Sequence, residues 1–151
     1  NDCLGKSGRS IPSMLNLNIH AEKGSMFNTP PVFAIYTCML TLKWVKENGG
    51  IEAMEKRNEE KAQLLYSEID SNPMFEGTAA REDRSNMNVT FVLKDEANKE
   101  EFDKMWTSAG ISGVKGHRDV GGYRASIYNA MPKESVQVLV NTMKEFAAQP
   151  A

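Results

Sequence analysis

Cysteine is scarce in this chain of 151 residues, which contains only Cys3 and Cys38. Two cysteines are too few for a disulfide scaffold and favour a reducing compartment. Long apolar runs are also missing, because the most apolar stretch, residues 32–45, is interrupted by Thr37 and Lys43. This stretch is shorter than the roughly 20 residues that a membrane-spanning helix needs. We therefore expect neither a disulfide-rich fold nor a membrane protein.

An excess of one charge is absent as well. Lysine and arginine total 18, aspartate and glutamate total 20, and the formal net charge is −2 at pH 7. A near-neutral chain argues against non-specific nucleic-acid binding, which relies on a basic surface. Residues 1–6 are polar and give no export signal. We expect a cytoplasmic globular protein with no nucleic-acid or membrane partner.

The first part of the chain predicts a strand and a long helix. Apolar and polar residues alternate over 14–19, which predicts a strand within the polar segment 1–25. Asn28 and Thr29 precede two prolines and predict the start of a helix that runs to about Lys46. Apolar residues surround most of this helix, which indicates burial on more than one side. In so short a chain, we expect a further domain or a partner subunit to cover it.

From residue 51 onward the pattern predicts an alternation of helices and strands. The predicted elements are a helix over 51–69, a strand over 87–93, a helix over 98–109, strands over 111–114 and 123–128, and a last helix opened by Pro132. Charged residues of the first of these helices, Lys61 among them, predict a solvated face. This order is typical of a small α/β structure, a short sheet with helices on one face.

Residues 115–124, KGHRDVGGYR, are the most informative segment for chemistry, with four basic or imidazole side chains and three glycines. The planar fork of an arginine matches a carboxylate or a phosphate. In a strand, Arg124 points opposite to Tyr123 and Ala125, away from the helices. The segment therefore predicts a site for a ligand with two separated negative groups. A solvated surface arginine beside a hairpin is the alternative.

Asn28 and Thr29 have two interpretations. As a helix cap the pair needs no further role, and the sequence alone favours this interpretation. A helix N-terminus with free N–H groups and a hydroxyl also suits a phosphate. The two histidines and two cysteines are widely spread, so we expect no metal site. No serine or cysteine lies in a nucleophile motif.

Three segments together resemble the phosphoserine aminotransferase family. They are residues 25–31 (SMFNTPP), 115–118 (KGHR) and 121–132 (GGYRASIYNAMP). The likeness extends over nearly the whole chain. It implies a homodimeric enzyme with pyridoxal 5'-phosphate at the subunit interface. Such an enzyme exchanges an amino group between O-phosphoserine or glutamate and 3-phosphohydroxypyruvate or 2-oxoglutarate in serine biosynthesis. In bacteria it can also serve pyridoxine biosynthesis through 4-phosphohydroxythreonine.

The resemblance also implies a fold and a domain organisation. The fold is that of a fold-type-I pyridoxal-phosphate transferase, in which residues 51–151 form the small C-terminal α/β domain. Residues 1–30 are then the tail of the large cofactor-binding domain, and residues 31–50 a connecting interface helix. The family's Schiff-base lysine has no counterpart here, and Lys6 matches a different position. We therefore expect a fragment that holds no catalytic residue and is inactive alone.

Site residues follow from the resemblance position by position. Asn28 and Thr29 match the pair that reaches the cofactor phosphate, in the family from the neighbouring subunit. Arg124 matches the arginine that holds the α-carboxylate of the substrate. His117 and Arg118 match the pair near its distal phosphate or carboxylate. The resemblance and the residue chemistry thus both predict two separated cationic anchors.

Two alternatives stay open. One is another aminotransferase of the same fold, such as the alanine–glyoxylate type, which acts on uncharged side chains and has no use for His117 and Arg118 as a distal anchor. The other is a non-enzymatic α/β module that binds an anionic metabolite. The apolar helix over 32–45 argues against this module, because a soluble module does not expose such a surface.

Overall fold

The computed structural model describes residues 4–6, 8–116 and 121–149 of the chain. The chain divides into two compact units, Asn1–Lys46 and Glu47–Ala151. The domain boundaries that the sequence predicts, after residues 30 and 50, stay a prediction. In the part of the chain that the structure describes, no helix is both long enough and apolar enough to cross a membrane.

The start of the first unit is helical. A 3₁₀ turn spans Ser13–Leu15, and helix α1 spans Leu17–Glu22. The side-chain oxygen of Asn16 accepts a hydrogen bond from the backbone N–H of Asn18 at 3.1 Å, which caps α1. The predicted strand over 14–19 is therefore wrong. Its alternation is too short to separate strand from helix, and a local asparagine cap decides for the helix.

Helix α2 spans Val32–Glu47, as the proline signal predicts. The carbonyl of Pro31 accepts the first helical hydrogen bond, from the N–H of Ile35 at 3.0 Å. Pro31 therefore occupies the capping position, and the predicted cap by Asn28 and Thr29 is wrong. The prolines favour a helix start directly after them, because their fixed φ suits the first turn and they have no N–H to satisfy.

Every residue of α2 is described, and none of them is buried. Phe33 is 84% exposed and Leu42 is 63% exposed. The described residues of this chain thus leave the apolar surface of α2 uncovered, and the covering domain or subunit stays a prediction.

The described residues of the second unit form three strands, β1 (Phe75–Gly77), β2 (Asn88–Leu93) and β3 (Tyr123–Ser126). They pair as one antiparallel sheet in the order β1-β2-β3. Its helices are α3 (Gly50–Ser71), α4 (Lys99–Ser108) and α5 (Lys133–Ala147), with 3₁₀ turns at Arg81–Asp83 and Glu96–Asn98. The predicted short sheet with packed helices is confirmed.

The core lies between the sheet and the three helices. Every second side chain of β2 is buried, which follows from the period of two along a strand. The ring of Phe102 in α4 lies 5.0 Å from that of Phe75 in β1 and 5.1 Å from that of Phe146 in α5. Apolar residues spaced three or four apart in α5 form its buried stripe: Val136, Leu139, Val140, Met143 and Phe146.

Several local predictions for this unit are wrong. Residues 111–114 form no strand, because Gly113 adopts a positive φ of 73° that breaks the extended backbone. Strand β1, Phe75–Gly77, is missed because three residues with a glutamate and a glycine give no strand pattern. Lys61, predicted on the solvated face, is 2% exposed, whereas the apolar Ile51 at the start of the same helix is 81% exposed.

Candidate functional site

The sheet face that turns away from the helices carries Arg124. Its neighbours in β3, Tyr123 and Ala125, are buried, so the alternation of the strand directs the exposed Arg124 to the open face, as predicted. Thr90 of β2 lies directly opposite Arg124. The hydroxyl of Thr78 donates a hydrogen bond to the hydroxyl oxygen of Thr90 at 2.6 Å. A row of two hydroxyls and one guanidinium therefore crosses the open face.

Further polar groups lie beside this row. The Ser126 hydroxyl donates to Oδ1 of Asn88 at 3.1 Å. Hydrogen bonds from Asn88 and Ser126 hold the pKa of the Tyr128 hydroxyl below its usual range, and the charge of Arg124 acts in the same direction. The exposed guanidinium of Arg124 adds a positive charge to these hydroxyl and amide groups. The open face is therefore suited to an anion.

Gly116 and Gly122 bring together the two ends of the basic segment, residues 115–124. The N–H of Gly116 donates to the carbonyl of Gly122 at 2.9 Å. A Cβ on Gly116 would collide with the carbonyl of Gly121, and a Cβ on Gly122 would lie 2.9 Å from the carbonyl of Phe91. These close backbone approaches require glycine at both positions. Two predicted site residues between these glycines, His117 and Arg118, lie outside the described residues.

Asp103 of α4 binds residues near both ends of the basic segment. Its Oδ1 accepts hydrogen bonds from the Tyr123 hydroxyl and from Nε1 of Trp106, each at 2.9 Å. Its Oδ2 lies 3.5 Å from Nζ of Lys115. Burial raises the pKa of the Asp103 carboxyl, but the hydrogen bonds from Trp106 and Tyr123 together with the charge and hydrogen bond of Lys115 outweigh burial. The net pKa therefore lies below its usual range.

Sequence reasoning missed Asp103. It lies among glutamates and lysines in α4, and nothing in that pattern separates it from solvated charges. Burial, together with the bond to Asp103, raises the pKa of the Tyr123 hydroxyl. The hydroxyl therefore remains a donor at neutral pH, and Asp103 ties β3 to α4 next to Arg124.

Asn28 and Thr29 lie in the first unit, directly before the prolines that open α2. Both are exposed. The side-chain amide of Asn28 donates to the Met14 sulfur at 2.9 Å. The structure thus places these two residues together, and it places Arg124 in the second unit.

A family model described as "Aminotransferase class-V" matches residues 5–139. The chain is 65% identical over 144 residues to a phosphoserine aminotransferase of Flavobacterium psychrophilum and 59% identical over 150 residues to one of Parabacteroides distasonis. These matches cover 95% and 98% of this chain, but 40% and 42% of the relatives. The chain therefore spans about 40% of the length of the curated relatives it matches.

Solved structures of phosphoserine aminotransferases are also similar to this chain. The phosphoserine aminotransferase from Bacillus circulans subsp. alkalophilus matches with a TM-score of 0.84 and 42% identity, over 97% of this chain and 41% of that one. The PLP-bound phosphoserine aminotransferase from Trichomonas vaginalis matches with a TM-score of 0.77 and 41% identity, over 89% and 39%. The predicted fold class, part of a fold-type-I α/β transferase, is confirmed.

Proposed function

Because this chain belongs to the class-V aminotransferase family, we propose that it is part of a phosphoserine aminotransferase. The whole enzyme moves an amino group between O-phosphoserine or glutamate and 3-phosphohydroxypyruvate or 2-oxoglutarate, in serine biosynthesis. In this proposal residues 51–151 form the small domain, residues 31–50 a connecting helix and residues 1–30 the tail of the large domain. The scarcity of cysteine supports a cytoplasmic enzyme.

The observation that carries this proposal is the exposed guanidinium of Arg124 on the open sheet face, beside the hydroxyls of Thr78 and Thr90. Each proposed substrate bears a carboxylate next to the reacting carbon and a second anionic group at its far end. Arg124 binds the α-carboxylate, and His117 and Arg118 bind the distal phosphate or carboxylate. Two anchors at opposite ends fix the reacting carbon between them, which lowers the entropic part of the barrier. 4-Phosphohydroxythreonine has the same two anionic ends, so the site also serves pyridoxine biosynthesis.

Pyridoxal 5'-phosphate is the cofactor of the proposed enzyme, as in the PLP-bound Trichomonas vaginalis relative. The donor set of the first unit fits its phosphate: an exposed amide and hydroxyl, Asn28 and Thr29, beside the N-terminus of the 16-residue helix α2. The first N–H groups of a helix have no internal partner and attract phosphate. When bound, the cofactor ring supplies the electron sink for transamination. In the proposed homodimer, Asn28 and Thr29 hold the phosphate bound by the neighbouring subunit.

The test uses a chimera in which this chain replaces the matching 40% of the Flavobacterium psychrophilum relative. Loss of two charge-assisted hydrogen bonds costs about 3–4 kcal/mol, so Arg124→Ala lowers kcat/KM for O-phosphoserine by roughly 100- to 1,000-fold. The matched control is Arg81→Ala, which removes a guanidinium whose side chain is 78% exposed and bound to Asp70. We expect the control to retain parental turnover. Near-parental kcat/KM in Arg124→Ala contradicts the proposal.

The amino donor separates the proposal from the closest alternative. The chimera should prefer O-phosphoserine over alanine, because alanine offers nothing for His117 and Arg118 to bind. Alanine turning over as well as O-phosphoserine would instead favour an alanine–glyoxylate type of enzyme.

A further inference from the structure

Lys61 is a buried cation in α3. It is 2% exposed, and its Nζ donates hydrogen bonds to the carbonyls of Ile127 at 2.9 Å, Tyr128 at 2.7 Å and Met131 at 3.0 Å. A lysine ammonium has three protons to donate, and these three bonds use all of them. The partners lie 66 to 70 positions away in sequence, so the contact is purely tertiary.

The three carbonyl partners carry no full charge, so burying this ammonium still costs free energy even though its protons are hydrogen-bonded. Burial lowers the pKa of Lys61, the direction expected when an ammonium is removed from water. An apolar side chain would fill the same space without the cost, but it could not draw three carbonyls to one point. What Lys61 provides beyond packing is a defined path for the backbone that supplies those carbonyls.

That backbone directly follows the strand of the proposed site. Residues 127–131 lie in the connection from β3 to α5, and Ile127 lies three positions after Arg124. Asn58, one turn before Lys61 in α3, adds a second contact, since its Nδ2 donates to Oδ1 of Asn129 at 2.7 Å. A further hydrogen bond holds the start of the same connection, because the N–H of Ile127 donates to the carbonyl of Met87, the residue before β2, at 2.9 Å.

We propose that Lys61 is a positioning residue for the substrate site: its ammonium fixes residues 127–131 and thereby sets the position of Arg124 and Tyr128 on the open face. The proposal rests on the function proposed above for that face. Lys61 itself faces the core side and acts only through the backbone that it binds. Its loss therefore weakens substrate binding without removing any group that touches the substrate.

The first measurement is amide hydrogen exchange by NMR on the 151-residue chain, which does not depend on activity. Lys61→Met keeps the length of the side chain and removes its donors. We expect the amides of Ile127 and Met131 to exchange at least ~10-fold faster, while the amide of Phe91 in β2 is unchanged. The matched control is Lys56→Met, which changes an exposed lysine of the same helix and should leave all three amides as they are.

The second measurement is steady-state kinetics of the chimera. Lys61→Met should raise KM for O-phosphoserine by about 10- to 100-fold with kcat within about 3-fold, because binding geometry is lost and the reacting groups remain. Lys61→Arg, which keeps the charge and donors, should recover a large part of the affinity. If Lys61 contributed only to stability, Lys61→Met would lower the yield of folded enzyme, and the folded fraction would keep the parental KM.

The outcomes separate the two proposals. Faster exchange at Ile127 with an unchanged KM, in a chimera that Arg124→Ala inactivates, overturns the role of Lys61 and leaves the proposed function standing. A chimera that does not turn over O-phosphoserine at all overturns both. If Lys61→Met does not fold, Asn58→Ala removes the neighbouring contact to the same connection. That variant should then raise KM in the same direction, and an unchanged KM there counts against the proposal.

Discussion

Of the residues that the structure describes, the 20 buried hydrophobic side chains all belong to the second unit, Glu47–Ala151, and none to the first, Asn1–Lys46. Helix α2, in the first part of the chain, is nevertheless more apolar than α3. Helix α2 exposes its phenylalanine, leucine and isoleucine side chains, whereas α3, which is rich in glutamate and lysine, buries a continuous stripe. Apolar content alone therefore does not decide burial.

The difference lies in what each unit can pack against itself. The second unit has a sheet with one apolar face and three helices to cover it, so an amphipathic stripe is enough. The described residues of the first unit, 4–6 and 8–46, form α1, most of α2 and a 3₁₀ turn, which provide no comparable layer. The second unit is thus expected to be stable by itself, and α2 to depend on a surface from elsewhere. Three substitutions test this comparison, in order of decreasing effect.

The largest effect is expected in the core of the second unit. Phe102 is fully buried between rings of β1, β3 and α5. Phe102→Ala should lower the free energy of unfolding of the 151-residue chain by about 3–5 kcal/mol, because it removes apolar contact and leaves a cavity. Urea unfolding followed by circular dichroism measures the change, and Phe102→Leu, which keeps more volume, should cost less than Phe102→Ala. An alanine variant with parental stability would show that this cluster is not the core.

An intermediate effect is expected at Asp103, which joins α4 to β3. Its pKa lies below the usual aspartate value of ~3.9 in the folded chain. The carboxylate therefore stabilises the fold above that value, and this contribution is lost as the pH falls through the lowered native pKa. Asp103→Asn should cost about 1–3 kcal/mol at pH 7, since two buried donors lose their charged acceptor.

The pH dependence makes the Asp103 prediction specific. Stability of the parental chain should fall more steeply between about pH 4 and pH 2 than that of Asp103→Asn, measured by urea midpoints at each pH. Glu101→Gln, at an exposed position of the same helix, is the control and should keep the parental slope. Equal slopes in parent and Asp103→Asn would contradict the role assigned to this carboxylate.

The comparison also shows which parts of the fold the sequence could predict. The stripe of α5, the alternation of β2 and the outward direction of Arg124 follow from local periods of 3.6 and 2, and all are observed. Strand β1 could not be predicted because three residues carry no period. The strand expected over 111–114 failed because one positive φ, at Gly113, outweighs the strand propensity of its neighbours.

For the site, the anion-binding chemistry of the basic segment could be predicted. The charged residues that hold this segment and the connection after it in place, Lys61 and Asp103, could not. Arg124 is recognisable from its strand position and from the glycines before it. Lys61 and Asp103 look like ordinary helix-surface charges. The partners that tie them to β3 and to the connection after it lie 20 to 70 positions away in sequence. Only the tertiary fold brings these distant partners together, so no local pattern could have singled out either charge.

The smallest effect on stability is expected in α2. This prediction tests whether the apolar surface of α2 is uncovered in the 151-residue chain. Phe33 is 84% exposed, so Phe33→Ser should change the unfolding free energy of the 151-residue chain by no more than about 0.5 kcal/mol. The same substitution in the chimera should cost at least about 1 kcal/mol, because there the remaining polypeptide or a second subunit covers the helix and the ring loses apolar burial. Ser71→Ala at the exposed end of α3 serves as a control that should be silent in both. A large loss in the short chain would mean that α2 already has its cover within these residues, and the contrast between the two units would then not hold.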